Sequence, residues 1–276
     1  MTEKAGDWVT PEAVSMAYAR YRFAADFCRG RRVLEVACGP GVGLGFLARR
    51  AEATVGGDLT DCLLRQARRH LQGTSSLVRL QAEALPLRDA SRDVIVCYEA
   101  LYFFEDVRKF LTECRRVLAP QGVLLLCTVN PEWPEFNPNI CSHHYYSAHE
   151  LSLLLRDAGF RPDLFGAFPV ASASIPAVCL SWIKRTAVRL RLIPSSMAGK
   201  RVLKRLFLGK LVPFPAVLDD GMAAYVPPTA IAPEQPVTGY KILFAVGRQV
   251  RPPRNRLFNQ AGASALRYHP GLDSAI

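Results

Sequence analysis

The segment RRVLEVACGPGVGLGFLARR constrains the fold most, because an apolar strand pattern runs into closely spaced glycines and then into a helical pattern. The strand is expected at Arg32–Ala37, and the glycines follow at Gly39, Gly41, Gly43 and Gly45. Glycines at such a turn allow bare backbone N–H groups to approach a ligand beyond the carboxyl end of the strand. The segment therefore predicts a nucleotide site at the carboxyl edge of a parallel sheet.

Short apolar runs alternate with amphipathic stretches from residue 12 to about residue 170, which is typical of βαβ units. Strands are expected at Arg32–Ala37, Ala53–Asp58, Leu77–Leu80, Asp93–Cys97, Val123–Thr128, Pro162–Phe168 and Tyr240–Arg248. The alternation predicts an α/β fold with a Rossmann-like, mostly parallel seven-stranded sheet and helices on both faces. In the last helix of the series, Ser147 is the expected N-cap, Glu150 its capping-box partner and Gly159 the stop.

The last two expected strands are separated by about 70 residues, which is too long for a hairpin loop. We therefore expect a core formed by residues 1–169 and 238–250, with a mainly helical cap inserted at residues 170–237. Residues 251–276 have little periodicity and are expected to form a disordered tail. The 276 residues, half of them hydrophobic, suffice for one such core and its insertion.

The chain carries a formal charge of +11, which favours anionic ligands or surfaces. Residues 181–210 contain nine basic side chains and no acidic one, and their spacing predicts two basic amphipathic helices within the cap. We interpret them as a lid over an anionic acceptor, such as a nucleotide-linked or lipid-linked sugar, or as a peripheral contact with acidic phospholipid. A solvated face over a packed apolar stripe is the alternative. Nucleic acid is the weakest specific option, because no aromatic interleaving or known RNA-binding module accompanies the charge.

The eight cysteines occur singly, without a C-x-x-C pair, and several lie in apolar runs. Free buried thiols in a reducing compartment are the simplest interpretation, and we assign no metal ligands. The N-terminal residues lack a basic stretch followed by an apolar core, and no apolar run reaches the roughly 18 residues of a spanning helix. A cytoplasmic location is therefore expected.

The spacing of the glycines distinguishes between nucleotide-binding motifs. The dinucleotide fingerprint G-x-G-x-x-G fails because its third glycine is absent in either register, and a P-loop fails because no Gly-Lys-Ser/Thr follows. The pattern that fits is acid-x-small-x-Gly-x-Gly, formed by Glu35, Ala37, Gly39 and Gly41. This pattern resembles motif I of the class I S-adenosylmethionine-dependent methyltransferases.

The resemblance covers about residues 20–168 and 240–248 and lies in the ordered series of motifs. Asp58 ends the second strand, and the segment LQAEALPLRDASRDVIVCYEALYFF is similar to the next part of the family's core. The resemblance implies that S-adenosylmethionine is the cofactor, that Glu35 and Gly39 hold its methionine end, and that Asp58 binds its ribose. Gly41 would let the chain pass close to the ligand. The other implied cofactor contacts are Tyr21, Ala37, Leu59, Tyr98 and, at the adenine, Ala82 and Glu83.

Two positions depart from the family's pattern. Ala37 replaces the first motif glycine, which is tolerable because alanine is small, and Gln81 stands where the family often has Asp. Simpler roles also remain open at three positions. Glu35 could cap the helix that follows, Asp58 could be the N-cap of the next helix, and Tyr21 could pack in the core.

Methyl transfer from a sulfonium is an in-line displacement, so the protein must align the acceptor and supply a base if that acceptor is a hydroxyl. The acceptor is expected over the end of the fourth strand, where Glu99 is a candidate base. His143 and His144 are candidates in a polar, aromatic loop, because imidazole has a suitable unperturbed pKa; simple solvent exposure is the alternative. The Asn/Asp-Pro-Pro-aromatic turn of base-methylating enzymes is absent, which counts against a nucleic-acid base as acceptor.

Together these features predict a methyltransferase that acts on a small molecule, at a hydroxyl of a sugar or secondary metabolite. A large cap favours a small, enclosed acceptor. The alternatives are a noncatalytic S-adenosylmethionine-binding protein, because the base is uncertain, and an RNA methyltransferase, because of the net charge.

Overall fold

The centre of the fold is a sheet built from the predicted apolar runs. The computed structural model describes residues 5–170 and 211–250. In chain order the elements are β1 (Trp8–Val9), α1 (Pro11–Cys28), β2 (Arg32–Val36), α2 (Leu44–Ala48), β3 (Ala53–Asp58), α3 (Asp61–Leu71), β4 (Ser76–Arg79), β5 (Arg92–Tyr98), a 3₁₀ turn (Leu101–Phe103), α4 (Val107–Val117), β6 (Leu118–Val129), α5 (Ala148–Asp157), β7 (Phe160–Pro169), β8 (Val212–Pro213), β9 (Thr229–Ala230) and β10 (Tyr240–Gln249).

The main sheet has the strand order β4-β3-β2-β5-β6-β10-β7-β9. The strands from β4 to β6 run parallel to one another, whereas β10 is inserted antiparallel between β6 and β7. The carboxyl ends of β2, β3 and β5 therefore lie together at one edge, which is where open α/β sheets bind ligands. This topology confirms the predicted Rossmann-like, mostly parallel sheet.

Both faces of the sheet are covered by apolar packing. Successive residues of β2 belong to different buried clusters: Leu34 packs with α4 and α5, and Val33 packs with α1 and α2. Leu124 and Leu125 of β6 divide in the same way. Because side chains alternate across a strand, these two clusters lie on opposite faces, and the helices therefore cover both sides.

The observed strands differ from the expected ranges mainly at their ends. β2 stops at Val36 because Ala37 has a left-handed backbone with φ of 58°. β6 begins at Leu118, well before the expected start at Val123. The sheet also has an eighth, two-residue strand, β9, which pairs with Phe165 and Gly166 at the edge of the sheet and falls in the range assigned to the cap.

The boundaries predicted for α5 are confirmed. The Ser147 side chain accepts a hydrogen bond from the Glu150 backbone N–H, and the Glu150 side chain accepts one from the Ser147 N–H. This reciprocal capping box satisfies two donors that the first turn of a helix leaves unpaired. Gly159 follows the helix with φ of 82°, a conformation that glycine adopts without strain.

The predicted cap is described only in its last part. Residues 211–237 contain β8, β9 and connecting turns, and β8 pairs with β1 near the start of the described chain. Phe214 and Leu218 are buried against the cluster that includes α1 and α2. Residues 171–210, with the basic segment 181–210, and the predicted tail at 251–276 lie outside the described residues. The helical cap and the division into core and cap therefore stay predictions.

No helix in residues 5–170 and 211–250 is long and apolar enough to cross a membrane. Within the same ranges, no group of three or more His, Cys, Asp or Glu side chains is placed to hold a metal ion. All cysteines there are free, and the buried ones are Cys28, Cys38, Cys97, Cys114 and Cys127.

Candidate functional site

A cleft of about 560 Å³ opens at the carboxyl ends of β2, β3 and β5. Every predicted site residue lines this cleft except Glu35, Gly41 and His144. The glycine turn and the end of β3 share the cleft with Glu99 and His143, which come from distant parts of the chain. The candidates for cofactor binding and for acceptor chemistry therefore form one continuous site.

The chain turns sharply after β2. Ala37, Gly39 and Gly41 have φ values of 58°, 55° and 76°, all in the left-handed region. This conformation costs roughly 1–2 kcal/mol for an alanine, so Ala37 is held there by the surrounding structure. A Cβ on Gly41 would come 3.0 Å from Cβ of Ala67 in α3. Gly41 thus lets α3 pack against the turn, while Ala37 and Gly39 form the surface that a ligand would meet.

Asp58 ends β3 and ties two loops together. Its Oδ2 accepts a hydrogen bond of 2.9 Å from the Gly39 N–H, and its Oδ1 accepts one of 2.8 Å from the Thr60 N–H. Thr60, not Asp58, is the N-cap of α3. A carboxylate has about four lone-pair positions, so Asp58 retains acceptor capacity at the cleft wall for the hydroxyl groups of a ribose.

The segment after β4 forms a tight turn that places Ala82 and Glu83 in the cleft. The Ala84 N–H donates to the Gln81 carbonyl at 3.2 Å, and Glu83 Oε1 accepts a hydrogen bond of 3.2 Å from the Glu105 N–H. Leu59 also lines the cleft and leaves 61% of its surface exposed. This pairing of an exposed apolar side chain with polar groups suits a flat heteroaromatic ring.

Glu35 lies behind the cleft wall and is only 2% exposed. The Tyr21 hydroxyl donates a hydrogen bond of 2.5 Å to its Oε1, whereas Oε2 has no hydrogen-bond partner among the described residues. Burial raises the pKa of the Glu35 carboxyl to about 8; the Tyr21 hydrogen bond opposes this shift and the Asp58 charge adds to it. Glu35 does not cap α2, whose N-cap is Gly43.

The Tyr21 ring occupies a notch that only glycine at position 43 leaves open. A Cβ on Gly43 would lie 1.9 Å from Cε1 of Tyr21. The ring also packs edge-on against Tyr98, with 5.6 Å between centroids. Burial raises the pKa of Tyr98, and its hydroxyl has no hydrogen-bond partner within the described chain. Tyr21 is therefore both a packed core residue and part of the cleft wall.

Glu99 directly follows β5 and is fixed by contacts on several sides. Its backbone has φ of 53°, and its N–H donates to the Cys127 carbonyl at 2.8 Å. Its Oε1 forms an ion pair of 3.1 Å with Arg20 of α1, and its Oε2 accepts a hydrogen bond of 3.0 Å from the Tyr102 hydroxyl. The carboxylate is therefore oriented in the cleft by Arg20 and the Tyr102 hydroxyl.

The two predicted loop histidines lie in different places. The His143 N–H donates to the Tyr102 carbonyl at 2.8 Å, and Tyr145 stacks on the Tyr102 ring with 4.7 Å between centroids. These contacts hold the loop so that His143 lines the cleft. His144 lies outside the cleft and forms an ion pair of 3.3 Å with Glu150 of α5.

Some cleft residues were not predicted from the sequence as site residues. They are Arg20, Phe103, Phe104, Glu105 and Phe214. Phe214 is held by backbone hydrogen bonds to Gly6 and Asp7, so it reaches the cleft through a pairing with the start of the described chain. No local sequence signal announces such a distant pairing. The strand end at Tyr98 could have indicated the aromatic residues that follow it.

Comparisons with known proteins agree with this geometry. Residues 34–126 match the family model described as Methyltransferase domain. A probable S-adenosylmethionine-dependent methyltransferase of Mycolicibacterium smegmatis is 36% identical over 155 residues, covering 54% of this chain and 59% of that protein. Over the matched residues, the chain is similar to the class I S-adenosylmethionine-dependent methyltransferases. The chain spans about three-fifths of that relative's length.

Two further proteins are similar to the chain. A fatty-acid O-methyltransferase of Mycolicibacterium smegmatis is 30% identical over 162 residues, covering 56% of this chain and 59% of that protein. A crystal structure of an S-adenosylmethionine-dependent methyltransferase from Thermotoga maritima, described as a possible histamine N-methyltransferase, superposes with a TM-score of 0.54. Its sequence identity is 16%, over 84% of this chain and 88% of that one, so the likeness concerns the fold.

The cofactor of this methyltransferase family is S-adenosylmethionine, and the residues present suit it. The cofactor carries an ammonium group, and Glu35 has a buried carboxyl oxygen without a partner among the described residues. Its ribose hydroxyls need acceptors, which Asp58 provides at the cleft wall. Ala37 and Gly39 leave the turn after β2 free of large side chains. The ammonium group and the ribose hydroxyls of the cofactor thus each have a chemically matched group in the chain.

Proposed function

We propose that the chain is an S-adenosylmethionine-dependent methyltransferase that methylates an oxygen atom of a small molecule, at a hydroxyl of a sugar or secondary metabolite. The observation that carries this proposal is the continuous cleft, in which Asp58 and Gly39 are followed by Glu99 and His143. When bound, S-adenosylmethionine supplies an electrophilic methyl group on a sulfonium sulfur. The residues of the chain must then orient the acceptor oxygen and take up its proton.

His143 is the better candidate for the base. Glu99 already accepts a hydrogen bond from Tyr102 and pairs with Arg20, so both of its oxygens are engaged. The His143 ring has no hydrogen bond to another described residue, and imidazole ordinarily titrates near neutral pH. We assign proton uptake to a ring nitrogen of His143, and to Glu99 the orientation of the acceptor hydroxyl.

The walls of the cleft support an acceptor with an apolar part. Tyr98, Tyr102, Phe103 and Phe214 contribute aromatic surface to it. The similarity to a fatty-acid O-methyltransferase is consistent with an apolar acceptor. A hydroxylated lipid or a lipid-linked sugar would combine such a part with the required hydroxyl group.

The charges at the cleft favour a neutral acceptor over an anionic one. The acidic groups that line it are Asp58, Glu83, Glu99 and Glu105, and Arg20 is engaged by Glu99. An anion placed beside carboxylates would be repelled. A peripheral membrane contact through residues 181–210 and a cytoplasmic location are retained as proposals from the sequence alone, since that segment lies outside the described residues.

The test is methyl transfer from labelled S-adenosylmethionine to a panel of probes. The hydroxyl probes are octyl glucoside, 4-propylphenol and 1-dodecanol; dodecanoic acid is the carboxylate counterpart, and total RNA represents the rival activity. We expect label on at least one hydroxyl probe and none on RNA. Labelling of RNA alone would favour the RNA methyltransferase, and cofactor binding with no transfer to any probe would favour a noncatalytic binding protein.

The paired histidines provide the matched variants. We expect His143→Ala to lower turnover of the best probe at least about tenfold, because general-base catalysis typically contributes more than that. His144→Ala should retain the parent rate, because His144 pairs with Glu150 outside the cleft. Steady-state rates and affinity for S-adenosylhomocysteine should be measured for both variants. Equal rates in the two variants would remove His143 as the base.

A further inference from the structure

The contact between Tyr21 and Glu35 leaves one buried carboxyl oxygen without a partner among the described residues. The carboxyl group of Glu35 is buried, and its one hydrogen bond within the described chain is the 2.5 Å contact from the Tyr21 hydroxyl to Oε1. Oε2 has no such partner. Burying a carboxyl oxygen without a partner costs free energy, and ionising it there would cost more. The carboxyl group can therefore accept a hydrogen bond from a further donor.

Burial and the Asp58 charge favour the neutral form of Glu35, and the Tyr21 hydrogen bond opposes them. Tyr21 of α1 and Asp58 of β3 shift the pKa of Glu35. The other ionisable residues that interact with Glu35 electrostatically are Cys28 of α1, Cys38 of the glycine turn, and Cys97 and Tyr98 of β5. Burial raises the pKa of each of these thiols and phenols, so they are uncharged at pH 7. Asp58 contributes a negative charge, and no cation is among the groups that shift the pKa of Glu35.

Tyr21 is the contact through which Glu35 meets the cleft. Tyr21 lines the cleft, whereas Glu35 does not. The Tyr21 ring fits into the notch at Gly43, and its hydroxyl covers Oε1. A cationic group that approached the carboxylate from the cleft would therefore compete with the Tyr21 hydroxyl for this oxygen.

We propose that Tyr21 is a positioning residue that covers the Glu35 carboxyl in the free protein and yields that oxygen to the ammonium group of S-adenosylmethionine, so that cofactor binding releases a proton from Glu35. The inference rests on the proposed function, since it presumes this cofactor. The proton leaves a carboxyl oxygen for solvent, the ammonium N–H donates to the carboxylate formed, and no covalent bond to carbon changes. A neighbouring cation favours the charged carboxylate, which burial alone disfavours.

The sign of the pH dependence follows from this exchange. Below about pH 8 the free protein holds the proton on Glu35, so binding must expel it and affinity should rise with pH. The rise should approach about tenfold per pH unit, the value for one released proton, and should level off above pH 8. A Glu35 carboxylate that was already ionised would give a flat profile.

The experiment is calorimetric titration of the full chain with S-adenosylhomocysteine at pH 7, in phosphate and in Tris buffer. These buffers differ in ionisation enthalpy, so the difference between the two measured heats counts released protons. We expect close to one proton for the wild-type chain and close to none for Glu35→Gln. A wild-type count near zero would overturn the inference without reference to any variant, and so would an unchanged count in Glu35→Gln.

Two phenylalanine variants test the part played by Tyr21. The Tyr21 hydrogen bond lowers the pKa of Glu35, so Tyr21→Phe should raise that pKa. The pH above which affinity stops rising should therefore be higher in this variant. Tyr18→Phe is the matched control, because Tyr18 lies one turn earlier in α1, does not line the cleft, and accepts a hydrogen bond from the Gly221 N–H. Tyr18→Phe should keep the wild-type dependence of affinity on pH. Identical profiles for wild type and Tyr21→Phe would exclude the positioning role. Absence of any S-adenosylhomocysteine binding would contradict the proposed function itself, whereas binding without proton release contradicts only this inference.

Discussion

At the scale of single residues, Asp58 stabilises two loops and is also the residue expected to bind the ribose. Both of its carboxylate oxygens accept backbone hydrogen bonds, one from the turn after β2 and one from the loop before α3. These bonds hold the two loops that border the cleft, and Asp58 itself lines the cleft. Loss of the side chain would therefore remove acceptors for the ligand and for the protein together.

We expect Asp58→Ala to weaken S-adenosylhomocysteine binding at least about tenfold, since a hydrogen bond to a charged group contributes roughly 1.5–3 kcal/mol. Asp61→Ala is the control, because Asp61 is exposed at the start of α3 and does not line the cleft. Calorimetry gives the affinities, and a thermal melt checks that the domain remains folded. Wild-type affinity in a folded Asp58→Ala protein would contradict the ribose assignment.

The sequence predicted those site residues that belong to one short motif or that mark the end of a strand. Glu35, Ala37 and Gly39 follow one another at a strand end, and Asp58 marks the next strand end. Sequence could not predict that Tyr21 covers Glu35, because helix α1 and strand β2 meet only in the folded chain. Nor could it separate His143 from the adjacent His144, whose directions depend on contacts with Tyr102 and Glu150.

At the scale of elements, the segment that contains β8 fastens the N-terminal part of the fold. The Leu218 N–H donates to the Val42 carbonyl at 2.9 Å, and Asp219 and Asp220 pair with Arg49 and Arg50 just after α2. Phe214 is 5% exposed and reaches both the cleft and the cluster around α1. This segment thus links the packing of α1 to one wall of the site.

We expect Phe214→Ala to lower the free energy of unfolding by about 3 kcal/mol, as is usual when a buried phenylalanine is truncated. Asp219→Ala should cost under about 1 kcal/mol, because its ion pair with Arg49 is exposed to solvent. Urea unfolding followed by circular dichroism measures both values. A Phe214→Ala protein as stable as Asp219→Ala would show that the segment contributes little to the packing of α1.

The difference between predicted and observed elements has a physical cause. Ser147 and Glu150 predicted the start of α5 because a capping box is local in sequence. The short strands β8 and β9 were missed because two-residue strands carry almost no periodicity, and each forms only through its distant partner, β1 or β7. The long connection between β7 and β10 was therefore assigned as a whole to a cap.

At the scale of the whole molecule, the family match covers most of the expected cofactor residues but only some of the expected acceptor residues. The family match at residues 34–126 includes Glu35, Asp58 and Glu99, but His143 and Phe214 lie outside it. The strand order and the cofactor edge could be predicted because alternating βαβ units allow few arrangements. The expected acceptor side includes residues outside the matched range, and a shared fold does not fix the substrate, so the sequence predicted the cofactor more closely than the substrate.

The most direct test of the account is calorimetric titration of the purified chain with S-adenosylhomocysteine, with NADH as the control ligand. The geometry of the turn after β2, the Asp58 carboxylate and the buried Glu35 predict micromolar, one-to-one binding of S-adenosylhomocysteine and no binding of NADH. Binding of NADH, or of neither ligand, would contradict the assignment of the cleft as a methyltransferase cofactor site.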